Sequence, residues 1–418
     1  MLYFAIILSF LIIIFNTIIR KDPFLSPVSL FPFLWIIILS LYKSGLIVLY
    51  QISNRLEIII TLGILGFFLG GELSNLLYPV KNKMAISFIL HNNTDAISYD
   101  TKKRNTILFV LSLLCIVLLT IRVIPSISLL RLGYTFNQIT VEKLYYKAEN
   151  GIMLFLSVYF MEPFSTVLSV IGAYELLKGR GDVRLIICSI IVVVLCALQR
   201  GGRFVIIMYF VYLITFKHMF NRRIKMRRKT KFIFILVSVA ALIVVLQLSK
   251  SRGTSDLFQS AYLYLCGCLP NMNQRLFTGA HIPLTLGGSS LYGFIAPVMY
   301  FFKGIGFSYP SFFLELTNII NVENIIDIGP ADRYNAFVSV FYHLFLDGRE
   351  FGVIIGTLLL GFISTRAYRK AKRTTNTRDY LVYGLLMYQL CSPMIRVQFS
   401  TYAYALSFFY ILFLYRKT

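Results

Sequence analysis

The sequence predicts an all-α, polytopic membrane protein: a transmembrane helix bundle of about eleven to twelve spans, with a long extracytoplasmic loop of short interfacial helices. Of its 418 residues, 57% are hydrophobic and 16% are aromatic, more than a soluble globular domain carries. The basic residues, which give a formal net charge of +23, fall mostly in short stretches between apolar windows. Their position indicates a role in membrane orientation and argues against nucleic-acid binding.

About eleven apolar windows account for the predicted spans, on the basis that roughly 20 apolar residues cross the hydrocarbon core. They lie near Leu2–Ile19, Ser29–Tyr50, Glu57–Tyr78, Thr106–Ile124, Gly151–Leu177, Arg184–Leu198, Phe204–Phe216, Phe232–Leu248, Phe351–Tyr368, Tyr380–Ile395 and Phe399–Tyr415. The chain has no evident sequence repeat, linker or low-complexity tract. We therefore expect a single integral membrane domain over residues 1–418.

The distribution of lysine and arginine predicts the orientation of these spans, because basic residues resist translocation and accumulate in cytoplasmic loops. One set of alternate loops is rich in them and includes the run NRRIKMRRKTK at residues 221–231. The other set is poorer in basic residues. The N-terminus is thus predicted to lie outside and the C-terminus inside, and the loop over residues 250–350 faces outward.

This long loop is too apolar and too aromatic for an ordinary soluble domain. Its apolar runs, Leu291–Phe302 and Tyr309–Ile320, are too short to span a bilayer and are typical of helices in the interface. Its aromatic residues include Tyr262, Tyr264, Tyr292, Tyr300, Phe301, Phe302, Phe307, Tyr309, Phe312 and Phe313. Such rings could stack on sugars, or they could form an interfacial aromatic belt.

Arginines at the predicted outer edge are the first candidate site residues. Arg200 and Arg203 flank two glycines in the turn LQRGGRF, and Arg252 follows the eighth predicted span. Arg275 and Arg333 lie further along the loop. Several guanidinium groups on one face can bind a pyrophosphate through paired hydrogen bonds. Each arginine taken singly could instead end a helix or reach towards lipid headgroups.

Outward-facing carboxylates and histidines are the candidates for acid–base chemistry. Asp256 lies four residues after Arg252, where the two would share a helix face and could form a salt bridge. Asp332 lies in the loop, and Glu162 precedes Pro163 inside a span, where it could act in function or pair with an arginine. His281 and His343 are isolated histidines for which a structural role competes with proton transfer.

Motifs of other enzyme classes are missing from the sequence. It contains no P-loop, no GxGxxG after a strand, no HExxH and no nucleophile elbow. The first outward loop is only a few residues long and has no paired carboxylates to hold a divalent metal. We therefore expect chemistry that depends on arginines, with no metal and no cofactor.

The order of several segments resembles a known family. These segments are the RGGR turn at residues 200–203, SRG at residues 251–253, AYLYLCGCLPN at residues 261–271, and RYNAFVSVFYHLFLDGREFGVIIGTLLLGF from Arg333. Together they resemble the O-antigen and capsule repeat-unit polymerases, the Wzy-type family, which are related in fold to the O-antigen ligases. The resemblance covers roughly the second half of the chain.

The resemblance implies a GT-C-like glycosyltransferase of the bacterial inner membrane with a periplasmic active face. It would transfer the growing glycan from undecaprenyl pyrophosphate to the next lipid-linked repeat unit. By the family pattern, Arg203 and Arg252 would hold the pyrophosphate. The related ligases place a histidine before the late span, whereas this chain has Asp332, Arg333, Tyr334 and Asn335 in that position.

The roles of the remaining residues follow as expectations. Asp332 or Asp256 would deprotonate the acceptor hydroxyl, giving a catalytic set of Arg203, Arg252, Asp256 and Asp332. The substrate-binding set is Arg200, Arg275, Arg333, Tyr334, Asn335 and His281. Expected partners are lipid-linked oligosaccharides, membrane lipids and a chain-length regulator, with no nucleic acid.

Other functions remain as alternatives. A flippase or other transporter of lipid-linked oligosaccharide is the first, although transporters of this size usually have two related halves and polar sites at the bilayer midplane. A second is another lipid-linked envelope enzyme such as an acyltransferase, and a third is a structural membrane subunit. A single repeat unit on the acceptor after gene deletion would favour the polymerase, whereas complete absence of surface repeat units would favour the flippase.

Overall fold

The computed structural model describes residues 1–78, 95–134, 151–178, 181–200, 204–220, 257–278, 283–320, 325–330, 332–334, 337–374 and 376–416. Within these ranges the chain is almost entirely helical, and six helices are long and apolar enough to cross a membrane. They cover Leu2–Ile19, Pro27–Ser44, Asn54–Leu77, Lys102–Leu129, Gly151–Leu177 and Val340–Arg373. The predicted α-helical membrane protein is therefore confirmed at this level.

The described helices fall on the predicted windows, but six of them, against the eleven to twelve spans predicted, are long and apolar enough to cross a membrane. In chain order the helices are α1 (Leu2–Ile14), α2 (Pro27–Ser44), α3 (Asn54–Leu77), α4 (Asp95–Arg131), α5 (Gly151–Leu156), α6 (Glu162–Leu177), α7 (Val183–Arg200), α8 (Phe204–Phe220), α9 (Leu257–Cys266), α10 (Cys268–Phe277), α11 (Tyr292–Gly304), α12 (Ser311–Ile320), α13 (Val340–Arg373), α14 (Thr377–Cys391) and α15 (Tyr402–Leu414). The predicted windows near Arg184, Phe204, Tyr380 and Phe399 form the shorter helices α7, α8, α14 and α15. The window at Phe232–Leu248 lies outside the described residues.

Within the described residues, four other local structures interrupt this series, and one of them is a 3-10 turn, Gln398–Ser400, that precedes α15. A π-helical turn, Phe15–Ile19, continues α1, and a second, Ser157–Met161, joins α5 to α6. Two short strands, β1 (Ile326–Asp327) and β2 (Arg333–Tyr334), form an antiparallel hairpin inside the long loop. The all-α prediction did not include this hairpin.

The chain divides into two compact units. The first comprises the described residues of Met1–Val80, Asp256–Lys370 and Gln389–Ala405. The second comprises those of Lys81–Ser255, Ala371–Tyr388 and Leu406–Thr418. The long loop thus belongs to the same unit as the first three helices.

Glycines allow α3 and α13 to touch backbone to backbone in the first unit. A Cβ at Gly66 would lie 2.9 Å from the carbonyl oxygen of Ile354, and one at Gly70 would clash with the carbonyl oxygen of Leu358. A Cβ at Gly361 would likewise clash with the carbonyl oxygen of Phe67. From one contact to the next, the residue numbers increase in the same direction along both helices, so α3 and α13 run parallel. Small residues at such spacing are the usual means of close packing between membrane helices.

Aromatic rings fill the space beside this contact. Phe31 on α2 stacks on Phe67 with ring centroids 4.1 Å apart, and Trp35 stacks on Phe341 at 4.7 Å. All four side chains are fully buried. Stacked pairs of this kind add about 0.5–1.5 kcal/mol beyond their buried area, so α2, α3 and the start of α13 form one packed core.

Ion pairs join helices in both units. In the second unit, Arg122 on α4 donates to Ser157 at 2.7 Å and lies 3.7 Å from Glu162. Of the two roles considered for Glu162, the structure therefore supports pairing with an arginine. In the first unit, Glu72 pairs with Arg20.

The two predicted interfacial runs form helices α11 and α12, which pack on each other. Tyr292 and Phe313 stack with centroids 5.6 Å apart and planes 5° apart. Together with Ala296, Leu316 and Ile320 they make a small buried cluster. The long loop therefore has a core of its own in addition to its contacts with the spans.

Candidate functional site

Side chains of helix α10 form hydrogen bonds to other segments of the first unit. The Asn271 side chain donates from Nδ2 to the carbonyl oxygen of Phe337 at 2.6 Å, just before α13 begins. Asn273 accepts from the backbone amide of Ser53 at 2.9 Å. Ser53 is the N-cap of α3, so α10 is joined by hydrogen bonds to the starts of two long helices.

Arg275 lies in the last turn of α10. Its Nε donates to Oδ1 of Asn271 at 2.8 Å, which directs the guanidinium along the helix. The side chain is half-buried, and this burial lowers the pKa of the Arg275 guanidinium. An arginine stays charged in a protein, so the lowered pKa reports a desolvation cost. A bound anion would offset that cost.

Two further arginines converge near the end of α10. The Arg55 guanidinium lies 5.4 Å from the ring centroid of Phe277 and 5.6 Å from that of Phe345. The Arg349 guanidinium lies 5.4 Å from the same Phe345 ring. We call Arg55 and Arg349 the arginine cluster; Arg275 lies on the same helix as Phe277, two residues before it. All three belong to the first unit.

One carboxylate accompanies the arginine cluster. Arg55 donates from Nε and Nη2 to Oε1 of Glu350 at 2.8 and 2.7 Å. The Arg55 side chain is 56% exposed and that of Glu350 is 33% exposed, so this pair contributes only about 0–1 kcal/mol to stability.

A break in α13 brings Arg349 and Glu350 to this position. Arg349 has φ 55° and ψ −140°, and Gly348 is also non-helical. A non-glycine residue in this left-handed region costs about 1–3 kcal/mol and persists where the surrounding structure enforces it. The second half of α13 therefore starts anew beside the N-terminus of α3, and the partial positive charge of both helix ends adds to the arginine cluster.

Asp347, which directly precedes the break in α13, anchors the turn over residues 283–291. Its carboxylate accepts from the Thr285 hydroxyl at 2.6 Å and from the backbone amides of Ser289 and Ser290 at 2.9 and 3.0 Å. Ser289 also shares a hydrogen bond of 2.8 Å with Nδ1 of the fully buried His343. His343 and Asp347 thus hold the turn over residues 283–291 against α13, and the structural role weighed for His343 fits the geometry.

The hairpin β1–β2 positions three of the predicted site residues. Asp332 accepts from Nε2 of Gln259 on α9 at 3.1 Å, and its backbone carbonyl accepts from the Ile328 amide at 2.9 Å. Arg333 pairs with Asp327 in the hairpin register. The half-buried Asp332 carboxylate is therefore held towards α9 by this hydrogen bond, and its role as a base stays a prediction.

Tyr334 is buried against the joint between α9 and α10. A Cβ at Gly267 would lie 3.0 Å from its ring, so the glycine makes room for it. Burial raises the pKa of the Tyr334 phenol well above its ordinary value, and the phenol stays neutral at physiological pH. Gly267 and Arg275 are eight residues apart, about 12 Å along a helix. Tyr334 thus lies at the N-terminal end of α10, and Arg275 lies near its C-terminal end.

The predicted site residues divide into three groups. Arg275, Asp332, Arg333 and Tyr334 are brought into the first unit around α9 and α10. Arg200 ends α7 and belongs to the second unit. Arg203, Arg252, Asp256, His281 and Asn335 lie outside the described residues, so the convergence of Arg203 with Arg252 stays a prediction.

Sequence reasoning missed Arg55, Arg349 and Glu350. Arg55 stands after Ser53 in the short link that is predicted to face outward, and Arg349 follows Gly348 in the motif DGRE. For Arg349, a charged residue beside a glycine at the edge of a predicted span was the available signal, whereas Arg55 offers no such signal. Within the described residues, no group of three His, Cys, Asp or Glu side chains could hold a metal ion.

Comparison with known proteins gave no match, whether by family models, by curated sequences or by solved structures. The chemistry of the site is therefore argued from its own residues. Guanidinium groups held beside aromatic rings, as in the arginine cluster, can bind an anion such as a phosphate or diphosphate.

Proposed function

We propose that this chain is a glycosyltransferase that polymerises lipid-linked oligosaccharide repeat units into a surface polysaccharide of the O-antigen or capsule type. The donor would be a glycan on undecaprenyl pyrophosphate, and the acceptor the next lipid-linked repeat unit. The reaction would take place on the outer face of the bacterial inner membrane, within a GT-C-like bundle. The proposal unites the sequence resemblance with the anion-binding character of the arginine cluster.

The observation that supports it most is the convergence of Arg55 and Arg349 on the Phe345 ring, in a part of the chain that the orientation analysis predicts to face outward. A diphosphate leaving group develops negative charge as its bond to the sugar breaks. Guanidinium groups that are already in place would stabilise that charge more strongly than water does.

The reaction proceeds by displacement at the anomeric carbon of the donor glycan. The acceptor hydroxyl oxygen forms the new bond to this carbon, and the bond from the carbon to the diphosphate oxygen breaks. The bonding electron pair leaves with the lipid diphosphate, which the arginines hold. Asp332, or Asp256 in the alternative assignment, takes the proton from the attacking hydroxyl.

Analysis of the surface glycan after gene deletion tests the proposal. We expect a single repeat unit on its acceptor in place of a ladder, and we expect Arg275→Gln, expressed at the normal level, to give the same pattern. Arg184→Gln is the matched control, because Arg184 is an exposed arginine of the second unit that pairs with Asp182 at 2.9 Å. This control should keep the ladder.

Two other outcomes would contradict the proposal. Complete loss of repeat units from the cell surface would favour a flippase, because the lipid-linked units would then fail to reach the outer face. An unchanged ladder in the deletion strain would exclude both functions.

A further inference from the structure

Two rows of exposed apolar side chains run along α3 and α13, both within the first unit. Each row recurs at every fourth residue, which keeps its members on one side of the helix. The rows consist of Leu65, Leu69 and Leu73 on α3 and of Ile355, Leu359 and Ile363 on α13. Because both helices are long and apolar enough to cross a membrane, these rows are suited to contact with lipid chains.

The two rows lie on the same side of the helix pair. At the closest contact, Gly70 of α3 meets the carbonyl group of Leu358 on α13. Leu69 precedes Gly70 by one residue, whereas Leu359 follows Leu358 by one residue. One residue is roughly 100° of rotation about a helix, so the rows are turned away from the contact in opposite senses. For two parallel helices that face each other, opposite turns point to the same side. We call the six side chains of the two rows the apolar face.

An aromatic ring and two arginines lie at one end of the apolar face. Tyr78 is the residue that caps the C-terminus of α3, and the Arg366 guanidinium lies 4.5 Å from its ring centroid. Arg369 donates from Nη1 to the carbonyl oxygen of Tyr78 at 3.2 Å. Arg366 follows Ile363 by three residues and therefore continues the row on α13. The apolar face thus ends at two guanidinium groups.

The Arg366 guanidinium can accept a further ligand. Its side chain is exposed, and among the residues that the structure describes it has no carboxylate in ion-pair contact. A guanidinium has five N–H donors, and a contact with an aromatic ring leaves these donors available to an anion. Phosphate oxygens are the acceptors that this planar group binds best, together with carboxylates.

The length of the apolar face matches one leaflet of a bilayer. Ile355 and Arg366 are eleven residues apart, about 16 Å along a helix. The hydrocarbon core of a bilayer is about 30 Å thick, so this distance is close to the depth of the acyl chains in a single leaflet. The orientation analysis predicts that Arg366 lies at the cytoplasmic end of α13. A molecule with apolar chains of this length and a phosphate at one end is a phospholipid.

We propose that the apolar face and Arg366 bind an anionic phospholipid of the cytoplasmic leaflet. Its acyl chains lie along the two rows, and its phosphate accepts hydrogen bonds from Arg366 beside Arg369. A zwitterionic lipid carries an ammonium group that offsets part of this attraction, so an anionic headgroup is favoured. The site lies at the opposite end of α3 from Arg55 and does not depend on the proposed function.

Lipid binding by the purified full chain in detergent tests this proposal, with native mass spectrometry as the measurement. The probes are dioleoyl phosphatidylglycerol and dioleoyl phosphatidylcholine, which share their acyl chains and differ in the charge of the headgroup. We expect the wild type to bind phosphatidylglycerol at least about fivefold more tightly, the factor that one arginine contributes towards an anionic lipid. Glycerophosphoglycerol, which has the head without the chains, should fail to compete at the same concentration.

Arg366→Gln removes the charge at the end of the apolar face. It should lower the affinity for phosphatidylglycerol by about fivefold and leave phosphatidylcholine binding unchanged. Because Arg366 is exposed, the variant should fold normally. Arg131→Gln is the matched control, since Arg131 is an exposed arginine in the last turn of α4. This control should bind phosphatidylglycerol as the wild type does.

Five results would overturn the proposal. Equal affinity of the wild type for the two lipids, or wild-type affinity of folded Arg366→Gln for phosphatidylglycerol, would remove the role of Arg366. An equal loss in Arg131→Gln would mean that total charge selects the lipid. Equal competition by glycerophosphoglycerol would mean that the chains do not contribute. A wild-type dimer that Leu359→Trp dissociates would make a second copy of this chain the occupant of the apolar face.

Discussion

Replacing Gly70 with alanine tests the backbone contact between α3 and α13. The added Cβ would lie 2.7 Å from the carbonyl carbon of Leu358 and 2.9 Å from its Cα, and would clash with the carbonyl oxygen. Ordinary contacts of a Cβ begin near 3.4 Å, so the two helices must move apart. A flexible side chain could yield, but here the obstacle is backbone.

The expected magnitude follows from this geometry. Overpacking a well-packed interior costs about 1–3 kcal/mol, and the rigid obstacle favours the upper end. A loss of about 3 kcal/mol lowers the ratio of folded to unfolded protein more than a hundredfold. We expect the midpoint of thermal unfolding in detergent to fall by about 5 °C or more.

Gly304→Ala is the control for this experiment. Gly304 also lies in a helix, and a Cβ there would meet no atom within 4 Å. Its unfolding midpoint should stay unchanged or rise slightly, because alanine restricts the unfolded chain more than glycine does. A Gly70→Ala protein that unfolds at the wild-type temperature would refute the parallel contact between α3 and α13.

Three further predictions concern the site. Ser53→Ala removes the hydroxyl that caps α3, and we expect thermal unfolding to report a loss of about 0.5–2 kcal/mol; an unchanged midpoint would argue against the cap. Asp347→Asn weakens the hydrogen bonds that hold residues 283–291, so chymotrypsin should cut this turn faster, and a wild-type cleavage rate would contradict the anchoring role. Arg275→Lys keeps the charge but loses the Nε bond to Asn271 and should weaken pyrophosphate binding by about tenfold in calorimetry. Equal affinity would mean that charge alone matters there.

Hydrophobic patterning predicted the local structure well. The runs Leu291–Phe302 and Tyr309–Ile320 became α11 and α12 because Gly and Pro residues between them end one helix and begin the next. The spans were recognisable for the same reason, since apolar length is a local property of the chain. The break in α13 had a local signal in Gly348, but the left-handed conformation of Arg349 depends on tertiary contacts.

The site was less predictable because its contacts join distant parts of the chain. Arg55 and Glu350 are 295 residues apart, and Ser53 and Asn273 are 220 residues apart. Nothing in the local pattern around Arg55 distinguishes it from an arginine that merely ends a helix. Arg275 was named as a candidate from its position in the loop, whereas its partners required the fold. The hairpin at residues 326–334 escaped notice because two-residue strands leave no alternating pattern.

Helix α10 joins parts of the chain that are far apart in sequence. Its ten residues are tied near the middle to the start of α3 by the hydrogen bond between Asn273 and Ser53, and near the beginning to the segment before α13 by Asn271. Insertions or deletions between α11 and α12 would leave these two hydrogen bonds unaltered. The loop can therefore change in length there without moving the starts of the two long helices.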